Sequence, residues 1–248
     1  MRYFIEVAYH GKAYAGFQIQ ENAHTVQGEL EGALQTILRR RILLTGSSRT
    51  DAGVHALCNY FHFDDEAALG QKQVYNLNAV LPPSMVVRRI IPMQPEAHSR
   101  FDAIARSYVY TLSPQKNPFT HDRAWHYPYP IDGRLLQKAA DLLLSVNDFT
   151  SFSKRNTQAK TMLCSLAESY WQQQNDQWIY RVTGNRFLRG MVRALVATML
   201  QVGRQRITIR QFEQIILAKD CTKADFSAPA HGLMLREVIY PENYFEPV

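Results

Sequence analysis

Hydrophobic and polar residues alternate along Tyr3–Tyr9 (YFIEVAY), the period of a strand with one buried face. The period then changes. Thr25–Arg39 predicts a helix, with Thr25 as its N-cap and Leu30, Leu34, Ile37 and Leu38 on one face. Ile42–Leu44 and Leu57–Phe63 predict strands flanking a tight, glycine-containing turn, Lys72–Ala79 a short helix, and Val86–Ile91 a further strand. Strand, helix, strand, strand, helix, strand is the ferredoxin-like order, a sheet covered by helices on one face.

The rest of the chain predicts a similar series of longer pieces. Ser107–Leu112 (SYVYTL) alternates as a strand and Leu135–Leu144 is an amphipathic helix. Thr161–Gln172 and Gln177–Thr183 read as a hairpin, Phe187–Val202 and Ile209–Leu217 as helices, and Leu233–Tyr240 as a closing strand. No repeat is visible residue by residue. With a boundary near Ala103–Ser107, the expectation is an α+β protein of two ferredoxin-like lobes, 1–104 and 105–248, with mainly antiparallel sheets. A cleft between such lobes is a natural place for a substrate.

Charge sharpens this division. Of 248 residues, 28 are Lys or Arg and 22 are Asp or Glu, a formal charge of +6, yet residues 1–104 carry 10 basic and 10 acidic side chains. The surplus therefore lies in 105–248, where residues 181–210 hold seven arginines and no acid. Such a patch attracts a polyanion, nucleic acid first, or is simply a solvated basic face. No apolar run approaches a membrane span, the N-terminus has no signal-peptide pattern, and Cys58, Cys164 and Cys221 form no CxxC pair. These features point to a reducing, cytoplasmic setting and argue against a zinc knuckle.

Chemistry concentrates in Thr45–Phe63, TGSSRTDAGVHALCNYFHF. Asp51 sits in a turn that Gly53 makes possible, with Arg49 before it and His55 after it. A turn aspartate commonly hydrogen-bonds nearby amides. Ser47, Ser48, Arg49, Thr50, Asp51 and His55 nevertheless bring more polar chemistry than a hairpin needs, and loops on a rigid sheet commonly carry function. The acidic run Asp64–Asp65–Glu66 reads as a solvated loop.

SRTDAGVHA resembles the active-site motif of the tRNA pseudouridine synthase A family, and the resemblance runs through most of the chain. YHGKAYAGFQIQ (Tyr9–Gln20) is similar to that family's Y-D-G-x-x-Y-x-G-W/F-Q-x-Q. SRFDAIARSYVY (Ser99–Tyr110), DFTSF (Asp148–Phe152), GNRFLRGMVRALV (Gly184–Val196) and APAHGLMLREVIY (Ala228–Tyr240) resemble later blocks in the right order. The chain departs from the pattern at His10, where the family usually has Asp, and at Ser48, Ala194 and Ala197. None of these touches Asp51, Tyr108 or Arg193.

The resemblance implies a cofactor-free, metal-free isomerase acting on uridines 38, 39 and 40 of the tRNA anticodon arm, as a homodimer. Uracil is detached at N1 from C1′, turned, and rejoined through C5. The aspartate, here Asp51, would attack C1′ or take a proton from C2′. Arg193 would pair with Asp51, orient it and keep it a carboxylate. Tyr108 would stack on the flipped base, although alternation with Tyr110 also suits a core position. On a helix Arg186, Arg189 and Arg193 would share an arc of roughly 60°, facing RNA or plain solvent. Further RNA contacts are expected from Arg49 and from Lys12, Tyr14, Phe17, Gln18 and Gln20 in a Gly-containing loop. His55 is a supporting hydrogen-bond donor or a satisfied structural histidine, and Arg39–Arg40–Arg41 bind phosphate or pair with the helix dipole. The same enzyme class acting on another RNA, or a non-catalytic RNA-binding protein, are the rival readings.

Overall fold

The computed structural model describes residues 1–155 and 159–246, in two units: Met1–Ile104 with the chain from Met234 onward, and Ala105–Leu233. In the first unit, β1 (Arg2–Tyr9), α1 (Val26–Leu38), β2 (Thr45–Gly46), β3 (His55–Asp64), α2 (Gln71–Val80) and β4 (Met85–Met93) follow the predicted order. Strand β1 runs antiparallel between β4 and β3, and β2 flanks β3, so the order β4–β1–β3–β2 is ferredoxin-like. This central place explains the burial of five consecutive residues, Tyr3 to Val7. The buried Glu6 is satisfied by ion pairs with Arg89 and Arg88 and by the Tyr60 hydroxyl at 3.1 Å.

Helix α1 starts where the pattern places it: the Thr25 side chain accepts from Gly28 N at 3.2 Å, leaving Val26, Leu30, Ala33 and Leu34 buried. The strand expected at Ile42–Leu44 is absent. Ile42 and Leu44 are buried and Leu43 is exposed, as alternation requires, but α1 takes the backbone groups. Leu44 N donates to Glu31 Oε1 at 3.0 Å, and Leu44 O accepts from Gln27 Nε2 at 2.9 Å. The ladder begins only at Thr45, opposite His62.

The second unit contains β5 (Ala105–Ser113), β6 (Trp125–His126), α3 (Gly133–Leu143), β7 (Leu166–Gln174), β8 (Gln177–Gly184), α4 (Met191–Gly203) and α5 (Ile209–Leu217). Its ladder runs β5–β8–β7, all antiparallel, and the unpredicted β6 pairs parallel with the end of β5. Asn175 and Asp176 turn the β7–β8 hairpin, both with positive φ, as a two-residue primed turn requires. Helices α3 and α5 are capped by Asp132 and Thr208.

Two expectations need correction. The helix predicted from Phe187 begins only at Met191, because Gly190 has φ +74° and ends the preceding loop in the left-handed region. The shared helical arc of Arg186, Arg189 and Arg193 therefore does not exist; only Arg193 is on the helix. The final strand, β9 (Leu233–Ile239), pairs parallel with β3 at His55 and Ala56, and from Met234 the chain belongs to the first unit rather than the second. Tyr240 reinforces this by donating to Ser99 O at 2.5 Å and packing its ring edge-on against Tyr60.

Candidate active site

Asp51 lies half-buried in the 47–54 connection between β2 and β3. The turn closes through Val54 N donating to Asp51 O at 3.1 Å, and Gly53 supplies its positive φ of 80°. A second loop, residues 10–20, is docked on this turn by backbone groups. Phe17 N donates to Thr50 O at 3.1 Å, and Gly11 N donates to His55 Nδ1 at 3.0 Å. The approach at Gly11 is so close that a Cβ there would lie 2.0 Å from Val54 O. The 10–20 loop is tied in turn to the start of α1, where Val26 N donates to Gly16 O and Gln27 N to Phe17 O. Asp51 thus has a support that reaches back into strand and helix.

Several expected RNA contacts have other work. Phe17 is buried and stacks on Phe61, centroids 4.6 Å apart at 7°; Tyr14 is buried with its hydroxyl on Ser84 Oγ at 2.9 Å. These aromatics hold the loop, leaving Lys12, Gln18 and Gln20 exposed on it. Arg49 is exposed beside Asp51. His55, expected among the substrate contacts, is buried with Nδ1 accepting from Gly11, which in the neutral ring leaves the proton on Nε2. The His10 ring packs on it at 4.3 Å. Of the three arginines after α1, Arg40 is ion-paired with Asp65. Asp65 is buried and so departs from the solvated loop that the sequence suggested, whereas Asp64, paired with Arg2 at 2.8 Å at the end of β3, and Glu66 are exposed.

In the second unit Tyr108 and Tyr110 are buried on β5, the former edge-on to Phe187 with centroids 5.0 Å apart. Tyr110 donates to Pro229 O at 2.8 Å, and burial pushes its phenol well up from the ordinary value. Arg193 is half-buried on α4, its Nε donating to Ala228 O at 2.6 Å. That bond fixes the stem of the guanidinium in a mostly apolar helix. Arg186 is half-exposed and Arg189 exposed in the loop before α4. Among the described residues no group of three His, Cys, Asp or Glu is placed to hold a metal ion, and no helix is long and apolar enough to cross a membrane.

The chemistry available is one carboxylate on a clamped turn, with exposed cationic and amide side chains on the same loops, suited to an anionic polymer. The family model described as tRNA pseudouridine synthase matches residues 139–241. Relatives named tRNA pseudouridine synthase A match nearly end to end. That of Parabacteroides distasonis is 44% identical over 246 residues, covering 98% of each chain. That of Porphyromonas gingivalis is 42% identical over 249 residues (98% of this chain, 99% of its own), and that of Staphylococcus aureus 35% over 246 (98% and 92%). The chain belongs to the tRNA pseudouridine synthase A family.

Proposed function

We propose that this protein isomerises uridine to pseudouridine at positions 38, 39 and 40 of the tRNA anticodon stem-loop, with Asp51 as nucleophile and no cofactor. The observation that carries the reading is the end-to-end relationship at 44% identity with a protein named tRNA pseudouridine synthase A. The firmly held Asp51 turn supports it, since covalent catalysis at a sugar carbon needs a carboxylate with little freedom.

In the proposed sequence an Asp51 oxygen bonds to C1′ as the N1–C1′ bond breaks, its electron pair leaving with N1 of uracil. The detached base turns within the pocket. C5 then attacks C1′ and displaces the carboxylate, the C5 proton is lost, and N1 gains one, so substrate and product are isomers. Tyr108 stacks on the flipped base, and Arg193 balances the negative charge of the reacting centre. Lys12, Gln18, Arg49, Arg186 and Arg189 contact the RNA. The working protein is a cytoplasmic homodimer.

Release of tritium from C5-labelled, unmodified tRNA tests the reaction. Asp51→Asn removes charge with almost no change in volume, so turnover is expected to vanish while tRNA binding remains. Near-normal release by that variant refutes the catalytic assignment. Pseudouridine mapping in tRNA from cells lacking the protein tests the positions, and unchanged 38–40 would exclude them.

A further inference from the structure

Directly beneath the Asp51 turn, polar groups occupy a place where packed hydrocarbon would be ordinary. Asn59 has 0% exposure on β3, and Tyr9, Ser48 and Thr50 are also buried. An amide in such a place is costly unless its hydrogen-bonding capacity is used. Here Asn59 Nδ2 donates to Ser48 O at 2.8 Å and to Tyr9 Oη at 3.2 Å, while Oδ1 accepts from Tyr60 N at 2.9 Å. Tyr9 Oη and Thr50 Oγ1 share a further hydrogen bond of 2.8 Å. Burial pushes the Tyr9 phenol up to about 12, so the hydroxyl keeps its proton throughout the neutral range.

These bonds converge on residues 48 and 50, which flank Arg49 and lead into Asp51. Thr50 is held from two sides, its side chain by β1 and its carbonyl by Phe17 N. Tyr9 and Asn59, the two anchors from below, are on strands, the stiffest local support. Between them the ladder contains a bulge: β1 advances from Val7 to Tyr9 while β3 spans Asn59 to Ala56, one residue more. Such bulges re-aim side chains next to functional sites.

We propose that Tyr9, Asn59 and Thr50 form a positioning network that sets the Asp51 carboxylate for reaction without touching the uridine. The inference rests on Asp51 being the reacting group. A network that only stabilised the fold would change melting, whereas one that aims a carboxylate changes kcat at nearly constant KM.

Tyr9→Phe removes one oxygen and keeps the ring; Thr50→Val removes the hydroxyl and Thr50→Ser keeps it. Tyr9→Phe and Thr50→Val are each expected to lower kcat for tritium release about tenfold, with KM for tRNA within about twofold. Thr50→Ser recovers most of the loss, and the double variant Tyr9→Phe/Thr50→Val is no slower than the worse single, because both remove the same bond. Amide hydrogen exchange across residues 48–54 rises in Tyr9→Phe while the rest of the chain keeps its protection. A wild-type kcat with lowered melting overturns the proposal in favour of a structural role, and a raised KM at constant kcat overturns it in favour of an RNA contact. Unchanged exchange at 48–54 overturns it whatever the activity. Asp51→Asn is assayed alongside: turnover by that variant removes the catalytic reading itself, a failure distinct from wild-type behaviour of Tyr9→Phe.

Discussion

Replacing Gly11 by Ala adds one methyl group at a close approach between the two loops that bear on Asp51. The new Cβ would lie 2.0 Å from Val54 O, 2.5 Å from Val54 C and 3.0 Å from Gly53 C, all backbone atoms with no rotamer to escape into. Ordinary van der Waals separation begins at 3.4 Å, so the loops must part by about 1.4 Å. That separation breaks the 3.0 Å bond from Gly11 N to the buried His55 Nδ1. Breaking this bond costs about 1–3 kcal/mol, and overpacking adds about 1–3 kcal/mol. With a urea slope of about 3 kcal/mol per molar, the midpoint should fall by about 0.7–2 M. Displacement of a catalytic group by about 1 Å commonly costs about 100-fold in rate, the loss expected in single-turnover pseudouridine formation. Gly32→Ala is the control, since a Cβ there meets nothing within 4 Å on the exposed face of α1. It should stabilise by about 0.5–1 kcal/mol with activity unchanged. A Gly11→Ala protein with wild-type midpoint and wild-type rate would refute the claim that this close approach sets the site.

Two further predictions concern charge. Burial, then the neighbouring His98 and Arg2, push His62 down from 6.5 to about 4, and its Nδ1 faces Ser99 Oγ at 2.8 Å. The unfolded chain therefore binds the extra proton first, so this contribution is complete above pH 6.5 and is lost as pH falls toward 4. Urea midpoints measured between about pH 7.5 and pH 4 should drop less steeply for His62→Asn, and an identical slope would refute the linkage. Replacing Arg186 and Arg189 with Gln should weaken tRNA binding and flatten its dependence on salt, by about 0.7–0.9 in log–log slope for each phosphate that is no longer neutralised. An unchanged slope would make them surface charge alone.

Some of this structure is local enough to read directly. Thr25 with its following apolar face starts α1, Asn175–Asp176 closes the β7–β8 hairpin, and Ile209–Leu217 is a helix in both readings, because caps, turns and periodicity involve near neighbours. The departures have one cause, competition from groups distant in sequence or from a backbone conformation. Ile42–Leu44 alternates like a strand, yet Glu31 and Gln27 claim Leu44's backbone. Apolar periodicity extends back to Phe187, but a positive φ at Gly190 starts α4 later and removes Arg186 and Arg189 from it. Aromatic residues raise the same difficulty. Tyr14 and Phe17 sit in a polar, Gly-containing loop that reads as an RNA surface, and only their partners Ser84 and Phe61 reveal that they are the loop's own core. Asn59 is a visible signal, a polar residue inside the strand run LCNYFHF, but its partners Tyr9 and Ser48 are 50 and 11 positions away.

The sequence by itself determined the α+β class, the order of elements in the first unit and the family, since ordered motifs and hydrophobic periods are written along the chain. It also singled out Asp51 and the turn glycine that carries it. The tertiary structure alone decided how that turn is held: by Gly11 against Val54, by Phe17 on Thr50, and by buried Tyr9 and Asn59 from below. It also returned the last strand to β3 in the first unit. The reason is physical. A buried polar group must find a partner, and which partner it finds depends on the strands and loops that folding brings alongside it, not on its neighbours in the chain.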